Sequence, residues 1–138
     1  MWICPNCKRK FKIKNQSHSC VLIPIENHFI NVDDHVKKCF LELKKTIDTW
    51  HFVNEVSTPS AILYSIRSNF LALKPKKKWV DIEFVLSEEI DEFPIHKVVQ
   101  ASKAMFAHFI RIEAVKEVDS QLINWLNMAY EHNIGRLI

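Results

Sequence analysis

The sequence predicts an α+β fold, in which an antiparallel sheet of about five strands is packed by two helices and preceded by a small amino-terminal hairpin. Two stretches carry apolar residues at helical spacing, and each presents one apolar stripe that needs another layer to pack against. Between them lie short segments with the alternating, β-branched and aromatic composition of strands. Near the start of the chain, cysteine and histidine residues have the spacing of metal ligands.

Four candidate metal ligands lie in the first twenty residues. Cys4 and Cys7 form a C-x-x-C pattern, and His18 and Cys20 follow a ten-residue spacer as an H-x-C pair. On an extended segment, side chains two residues apart point the same way, so this pair can close a site opened by the first two ligands. Thiolate and imidazole ligands without a carboxylate are typical of a tetrahedral structural zinc site. The sequence therefore predicts one structural zinc ion bound by Cys4, Cys7, His18 and Cys20 in a zinc-clasped hairpin.

Two alternatives to this ligand set stay open on the sequence alone. The cysteines also suit a reduced, metal-free tail, and His28 or His35 is an alternative to His18 as the imidazole ligand. The fourth cysteine, Cys39, falls on an apolar helical stripe, where a buried structural thiol is the expected role.

The spacer of the hairpin is rich in lysine. Residues 8–14 read Lys-Arg-Lys-Phe-Lys-Ile-Lys and alternate strictly from Lys10 onward, so that Phe11 and Ile13 would face the body of the protein in a strand. The segment therefore predicts a strand with a positively charged outer face. The same pattern also suits a solvated edge strand that resists aggregation.

The remaining chain reads as one α+β domain over residues 23–138, following a zinc-ribbon-like segment over residues 1–22. The first helix follows Asn31 or Asp33 as its N-cap. A second helix begins between residues 117 and 119. The expected strands cover residues 52–57, 61–66, 70–73, 79–86 and 104–112, with a short or irregular one over residues 95–100. The apolar stripe of the first helix comprises Val36, Cys39, Phe40, Leu43, Ile47 and Trp50.

Composition excludes several classes of protein. Gly135 is the single glycine, and P-loops and dinucleotide-binding fingerprints need several, so no nucleotide cofactor is expected. The chain opens without a signal-peptide pattern and contains no apolar run of about 20 residues, so we expect a cytoplasmic protein without a membrane partner. Four cysteines, three of them with metal-type spacing, agree with a reducing compartment.

Charge is distributed unevenly and indicates an anionic partner for the front half. Residues 1–78 carry fourteen Lys or Arg against six Asp or Glu, a net charge of +8, whereas residues 79–138 carry five against ten, a net charge of −5. Clustered cations with aromatic neighbours are typical of surfaces that bind DNA or RNA. Lysine runs are also common in solvated turns. The candidate nucleic-acid-binding residues are Lys8, Arg9, Lys10, Lys12, Lys14, Lys74, Lys76, Lys77 and Lys78.

Four segments carry a resemblance to a known family: residues 1–7 (M-W-x-C-P-x-C), 15–20 (N-Q-S-H-S-C), 69–77 (N-F-L-A-L-K-P-K-K) and 118–130 (V-D-x-x-L-x-x-W-L-x-x-A-Y). With these the chain resembles a bacterial family called domain of unknown function 5655, whose layout is similar to the YdhG and YjbR group of small α+β folds. Some relatives in that group are proposed to handle iron in the manner of frataxin, and others look like nucleic-acid-binding modules. The resemblance implies a fold and supplies no catalytic residues.

Three other functions compete with nucleic-acid binding. A protein–protein assembly module would dock through the hairpin, and exposure of Trp2 and Ile3 would favour it. A frataxin-like metal handler would use the hard oxygen ligands of an acidic loop. An enzyme is not expected, because no spacing ties its candidate residues together. The acids of the loop are Glu88, Glu89, Asp91 and Glu92, and the candidate catalytic groups are His96, His108 and Asp81 or Glu83.

Overall fold

The computed structural model describes residues 2–18 and 20–135. Its first element is the predicted hairpin, in which β1 (Trp2–Ile3) pairs antiparallel with β2 (Lys10–Phe11). This two-stranded sheet is separate from the main sheet. The division into segments over residues 1–22 and 23–138 stays a prediction, and its outer limits at residues 1 and 138 lie outside the described residues.

A six-stranded antiparallel sheet forms the body of the protein, with the strand order β3-β4-β5-β6-β8-β7. The predicted fold class, α+β with two helices, is therefore confirmed. The strands are β3 (Asn54–Ser57), β4 (Ile62–Ser65), β5 (Asn69–Pro75), β6 (Val80–Leu86), β7 (Lys97–Ser102) and β8 (Met105–Ile112).

The prediction of about five strands is wrong by one, because the segment expected to be short or irregular is a full edge strand. Strand β7 pairs with β8 from Lys97 opposite Phe109 to Ser102 opposite Met105. Its side chains are almost all exposed. Because neither face of the strand is buried, its sequence does not alternate between apolar and polar residues. Backbone hydrogen bonds to β8 define this strand.

Two helices pack on one face of the sheet, which we call the inner face. Helix α1 (Asp34–Ile47) buries the predicted stripe from Val36 to Ile47, whereas Trp50, the last residue of that stripe, lies beyond the helix and is half-buried. Helix α2 (Ser120–Gly135) buries Trp125 among other residues. Strand β6 shows the predicted alternation, since Val80, Ile82, Phe84 and Leu86 are all buried. Successive side chains of a strand point to opposite faces, so the residues of β6 between these buried ones lie on the outer face of the sheet.

Helix lengths bear on the expectation about membranes. Within residues 2–18 and 20–135, no helix combines the length and the apolar character needed to cross a bilayer.

Candidate metal centre and adjoining basic cleft

The C-x-x-C segment folds into a tight turn that presents both thiols to one point. The Cys4 N–H donates to the Arg9 carbonyl at 2.9 Å, and the Lys8 N–H donates back to the Cys4 carbonyl at 2.8 Å. Lys8 lies in the left-handed region with φ of 64°, a conformation that non-glycine residues seldom adopt. This turn brings Cys4 and Cys7 to the same side of the hairpin.

The four predicted ligands converge. The Cys4 and Cys20 Sγ atoms are 3.6 Å apart, and His18 Nε2 lies 3.3 Å from the Sγ atoms of both Cys7 and Cys20. All four ligand atoms lie within 4.8 Å of one another. Around a tetrahedral zinc ion, neighbouring S and N ligand atoms would be about 3.5–3.8 Å apart. The arrangement is therefore close to one that can hold a single metal ion.

The imidazole is oriented by a second interaction. His18 Nδ1 donates to the Gln16 carbonyl at 2.6 Å, which leaves the Nε2 lone pair facing the thiols. The ring also packs on Phe11, with centroids 4.2 Å apart, and on Trp2, with centroids 6.0 Å apart. These aromatic contacts give the hairpin a small core of its own beside the ligands.

Local hydrogen bonds favour the metal-binding form of Cys4. The peptide N–H of Cys7, with a smaller contribution from Asn6, lowers the pKa of the Cys4 thiol to about 6 against the opposing effect of burial. The thiolate is the form of cysteine that binds metal. The Gln16 carbonyl raises the pKa of His18 through the hydrogen bond that orients its ring.

The alternative imidazole ligands lie elsewhere. His28 Nε2 is 3.0 Å from Ser57 Oγ, and His35 Nε2 donates to the Lys78 carbonyl at 2.7 Å. Among the residues that the structure describes, Cys4, Cys7, His18 and Cys20 form the one group of three or more such side chains able to hold an ion. Cys39 is fully buried on α1, in the expected structural position.

A cleft of about 550 Å³ separates the hairpin from the β3 side of the sheet. One wall is the hairpin, which contributes Lys8, Arg9, Lys10 and Lys12 from the first predicted basic cluster. The opposite wall comprises Asn54, Glu55, Val56, Ser65, Ile66, Arg67, Ser68 and Asn69. Lys14, the remaining member of the first cluster, is exposed and does not line the cleft.

The second basic cluster lies at the other end of β5 from this cleft. Asn69, which lines the cleft, begins the strand, and Pro75 ends it just before the turn that carries Lys76 and Lys77. At about 3.3 Å per residue, the two ends of the strand are about 20 Å apart. Lys76 and Lys77 therefore lie far from the cleft, whereas Lys74 lines a second, shallower depression that shares Asn69 with it.

Two lysines of the second cluster pair with acids. Lys74 Nζ lies 3.5 Å from a Glu83 carboxylate oxygen, and Lys78 Nζ lies 3.4 Å from an Asp33 oxygen. These partners reduce the positive charge of the turn. The acid that lines the cleft, Glu55, instead contacts residues of the protein body.

Glu55 is held by two groups of the protein body. Its carboxylate accepts a hydrogen bond from the Tyr64 hydroxyl at 2.7 Å and pairs with Lys44 Nζ at 2.8 Å. Burial, and then the neighbouring Glu55, raise the pKa of the Tyr64 hydroxyl, so that it remains a donor. Lys44 Nζ also pairs with Asp48 at 2.9 Å, so the charge of Glu55 is compensated only in part. Among the residues that line the cleft, the cations of the hairpin outnumber this one acid.

Sequence reasoning missed Arg67 and Asn133. Asn133 is a buried polar residue of α2, and its amide binds the turn between β4 and β5 that contributes Arg67 and Ser68 to the cleft. A lone asparagine in a helix and a lone arginine in a turn carry no pattern. Their role depends on the hydrogen bond between Arg67 and Asn133, which are 66 residues apart in the sequence.

The remaining candidate residues are dispersed. His108 is buried on the inner face, whereas Asp81 and Glu83 lie on the outer face, where they pair with Arg111 and Lys74. His96 is exposed and lies just before β7. Its backbone N–H donates to the carbonyl of Phe109 in β8. The side chains of Glu88, Glu89, Asp91 and Glu92 are exposed and form no grouped set of ligands within the described residues.

Comparison with known proteins gives a family. The family model described as Domain of unknown function (DUF5655) matches residues 25–133. The match begins after the four ligands of the hairpin and ends at Asn133 in α2. No match was found among curated proteins or among solved structures.

Proposed function

The chain belongs to this family, a domain of unknown function, and we propose that it is a non-catalytic nucleic-acid-binding module whose hairpin is held by one structural zinc ion. The observation that carries the proposal is the basic cleft beside the hairpin, where Lys8, Arg9, Lys10 and Lys12 stand opposite Arg67. Cations gathered on one surface neutralise phosphates and release condensed counterions.

Zinc is the metal that the ligand set suits best. Three cysteines and one histidine are a common structural combination for zinc, and the absence of a carboxylate among them disfavours magnesium and calcium. Strands β1 and β2 have only two residues each, so the hairpin has few backbone hydrogen bonds to hold it. The metal would supply the missing stability and so fix the basic wall of the cleft.

The test is fluorescence anisotropy of labelled oligonucleotides at several salt concentrations. The variant Lys10→Ala/Lys12→Ala/Lys14→Ala removes three charges from the hairpin, and Lys76→Ala/Lys77→Ala/Lys78→Ala removes three from the distant turn. We expect the hairpin variant to weaken binding to single strands and to lower the slope of log K against log salt by about two. An equal loss in both variants would assign the effect to net charge, and no binding by the unaltered protein would refute the proposal.

A protein-docking role is the second candidate, because apolar side chains are exposed in and next to the hairpin. Ile3 is 53% exposed, Ile13 is 65% exposed and Leu22 is 49% exposed. Trp2 is half-buried against Phe11, so only part of the expected apolar surface is exposed. An Ile3→Asp variant that loses a purified protein partner while oligonucleotide binding stays absent would favour this role.

The finer expectations about origin and context remain proposals as well. A bacterial source, a likeness to the YdhG and YjbR group and a cytoplasmic location all stay predictions. The frataxin-like role is the weakest alternative, because the acids of residues 88–92 do not converge on one point in the described chain.

A further inference from the structure

We infer that the cleft between the hairpin and the sheet receives one unpaired nucleotide of a single strand, an inference that rests on the proposed function. The nucleotide would contact both walls, with its phosphate toward the lysines of the hairpin and its base toward the sheet. This assigns a ligand class and a polar subsite that the basic residues alone do not define.

Three polar residues form a continuous row across the floor of the cleft. Ser65 of β4 is paired with Asn54 of β3 on one side and with Asn69 of β5 on the other. The Asn54–Ser65 pair belongs to a regular ladder, in which partners lie on the same face with their Cβ atoms about 5 Å apart. The register of β4 and β5 shifts between Tyr64 and Ser65, so Asn69 lies opposite Ser65 across an irregularity of the ladder. All three residues line the cleft, so two amide residues and one hydroxyl residue stand side by side at its sheet wall.

The polar groups of these three side chains are not used in hydrogen bonds within the described part of the protein. Within residues 2–18 and 20–135, the side chains of Asn54, Ser65 and Asn69 make no hydrogen bond to another group of the protein. Amide and hydroxyl groups provide both donors and acceptors, which is what the edge of an unpaired base requires. A row of unengaged polar groups facing a basic wall fits a ligand that is polar on one side and anionic on the other.

The size of the cleft selects a single nucleotide rather than a duplex. A volume of about 550 Å³ lies within the range of about 300–1,000 Å³ in which pockets bury one drug-sized molecule. A B-form duplex presents its phosphates on a convex surface and keeps its bases paired inside. Only a strand with a splayed base can place that base and its phosphate in the same cleft.

The hairpin wall also carries an arginine next to an aromatic ring. The Arg9 guanidinium lies over the Phe11 ring at 5.1 Å, and both residues line the cleft. Guanidinium planes and aromatic rings are the groups on which unpaired bases stack in proteins that bind single strands.

The experiment blocks the cleft without changing any charge. Ser65→Trp fills the floor between the two asparagines, and Ser102→Trp places the same side chain on the exposed end of β7 as the matched control. The probes are a fluorescein-labelled oligothymidylate of twelve nucleotides and a labelled duplex of twelve base pairs. We expect Ser65→Trp to weaken binding of the single strand at least about tenfold, whereas Ser102→Trp leaves it unchanged.

A second variant guards against misfolding of the first. Asn69→Leu removes one amide from the floor at an exposed position, and Asn124→Leu makes the same change on the surface of α2. We expect several-fold weaker binding of the single strand by Asn69→Leu alone, with circular dichroism unchanged for both variants.

The outcomes separate this inference from the proposed function. If the triple lysine variant of the hairpin loses binding while both Ser65→Trp and Asn69→Leu bind normally, the function stands and the nucleotide site is refuted. Duplex bound as tightly as the single strand would also refute the site. If the unaltered protein binds neither probe, both proposals fail.

Discussion

The backbone N–H of Arg67 donates a 3.0 Å hydrogen bond to the side-chain oxygen of Asn133, which joins the turn between β4 and β5 to helix α2. The same oxygen lies 3.5 Å from the Ser68 N–H, and the amide nitrogen of Asn133 donates to Ser68 Oγ at 3.1 Å. A residue that is only 2% exposed therefore replaces the missing backbone partners of a turn at the rim of the cleft.

Replacing Asn133 should destabilise the protein out of proportion to the size of the change. Asn133→Leu keeps the number of side-chain heavy atoms and removes the acceptor, which leaves the Arg67 N–H without its partner at a cost of about 1–3 kcal/mol. The measurement is the free energy of unfolding from urea titration. Asn124→Leu, exposed on the same helix, is the control and should change it by less than about 0.5 kcal/mol. Equal effects of the two variants would remove the special role of Asn133.

The metal content should depend on the hairpin and not on the buried thiol of α1. We expect one zinc ion per chain by elemental analysis, lost in Cys20→Ser and retained in Cys39→Ala. Chelation should increase hydrogen exchange in residues 2–18 while β5, β6 and β8 stay protected, because their core is built without the hairpin. Exchange that rises throughout the sheet on chelation would show that the two parts fold as one unit.

The hydrogen bond from the Tyr64 hydroxyl to the Glu55 carboxylate should stabilise the folded protein below about pH 10. Tyr64→Phe removes the donor to the carboxylate and should cost about 1–2 kcal/mol at pH 8. Because burial and Glu55 raise the pKa of Tyr64, the unfolded chain loses this proton first as pH rises. The difference in unfolding free energy between the two proteins should therefore shrink from pH 9.5 to pH 11. A difference that stays constant across this interval would contradict the assignment.

His108 should make the protein sensitive to mild acid. Its Nε2 accepts the Ile90 N–H at 3.0 Å, so the neutral ring carries its proton on Nδ1, and burial lowers the pKa of the group. Below about pH 6.5 the unfolded chain binds a proton that the folded ring resists, so the unfolding free energy falls as pH falls. His108→Gln, which retains an acceptor for Ile90, should reduce this fall between pH 7 and pH 5. The exposed His96→Gln should leave it unchanged.

The elements that the sequence predicted well are those whose signal is local. Alternation in Val80–Leu86 follows from one buried face, and the spacing of Cys4 and Cys7 follows from one turn. Strand β7 was underestimated because an edge strand with exposed side chains has no periodic apolar signal. The hydrogen bond between Arg67 and Asn133 lay beyond sequence reasoning because it depends on how α2 crosses the sheet.

The distance between the two basic clusters likewise could not be predicted from the sequence pattern. Both runs of lysine look alike in the sequence, and only the direction of β5 separates them. Charge compensation also depends on tertiary contacts, since Lys44 reaches Glu55 from α1. A count of charges along the chain therefore predicts the sign of a partner, which stays a prediction, but not the surface that such a partner would meet.

Under the proposed function the two walls of the cleft would differ in what holds them, since a metal ion on four ligands would hold the hairpin and the body of the domain holds the sheet wall. A ligand that touches both walls is then linked to the metal by a thermodynamic cycle. Whatever factor the ion adds to the affinity for the ligand, the ligand must add to the affinity for the ion. An occupied cleft would then raise the affinity for the proposed zinc ion in equilibrium competition with a chelator, so the chelator concentration that removes half of the metal becomes a readout for ligands of the cleft.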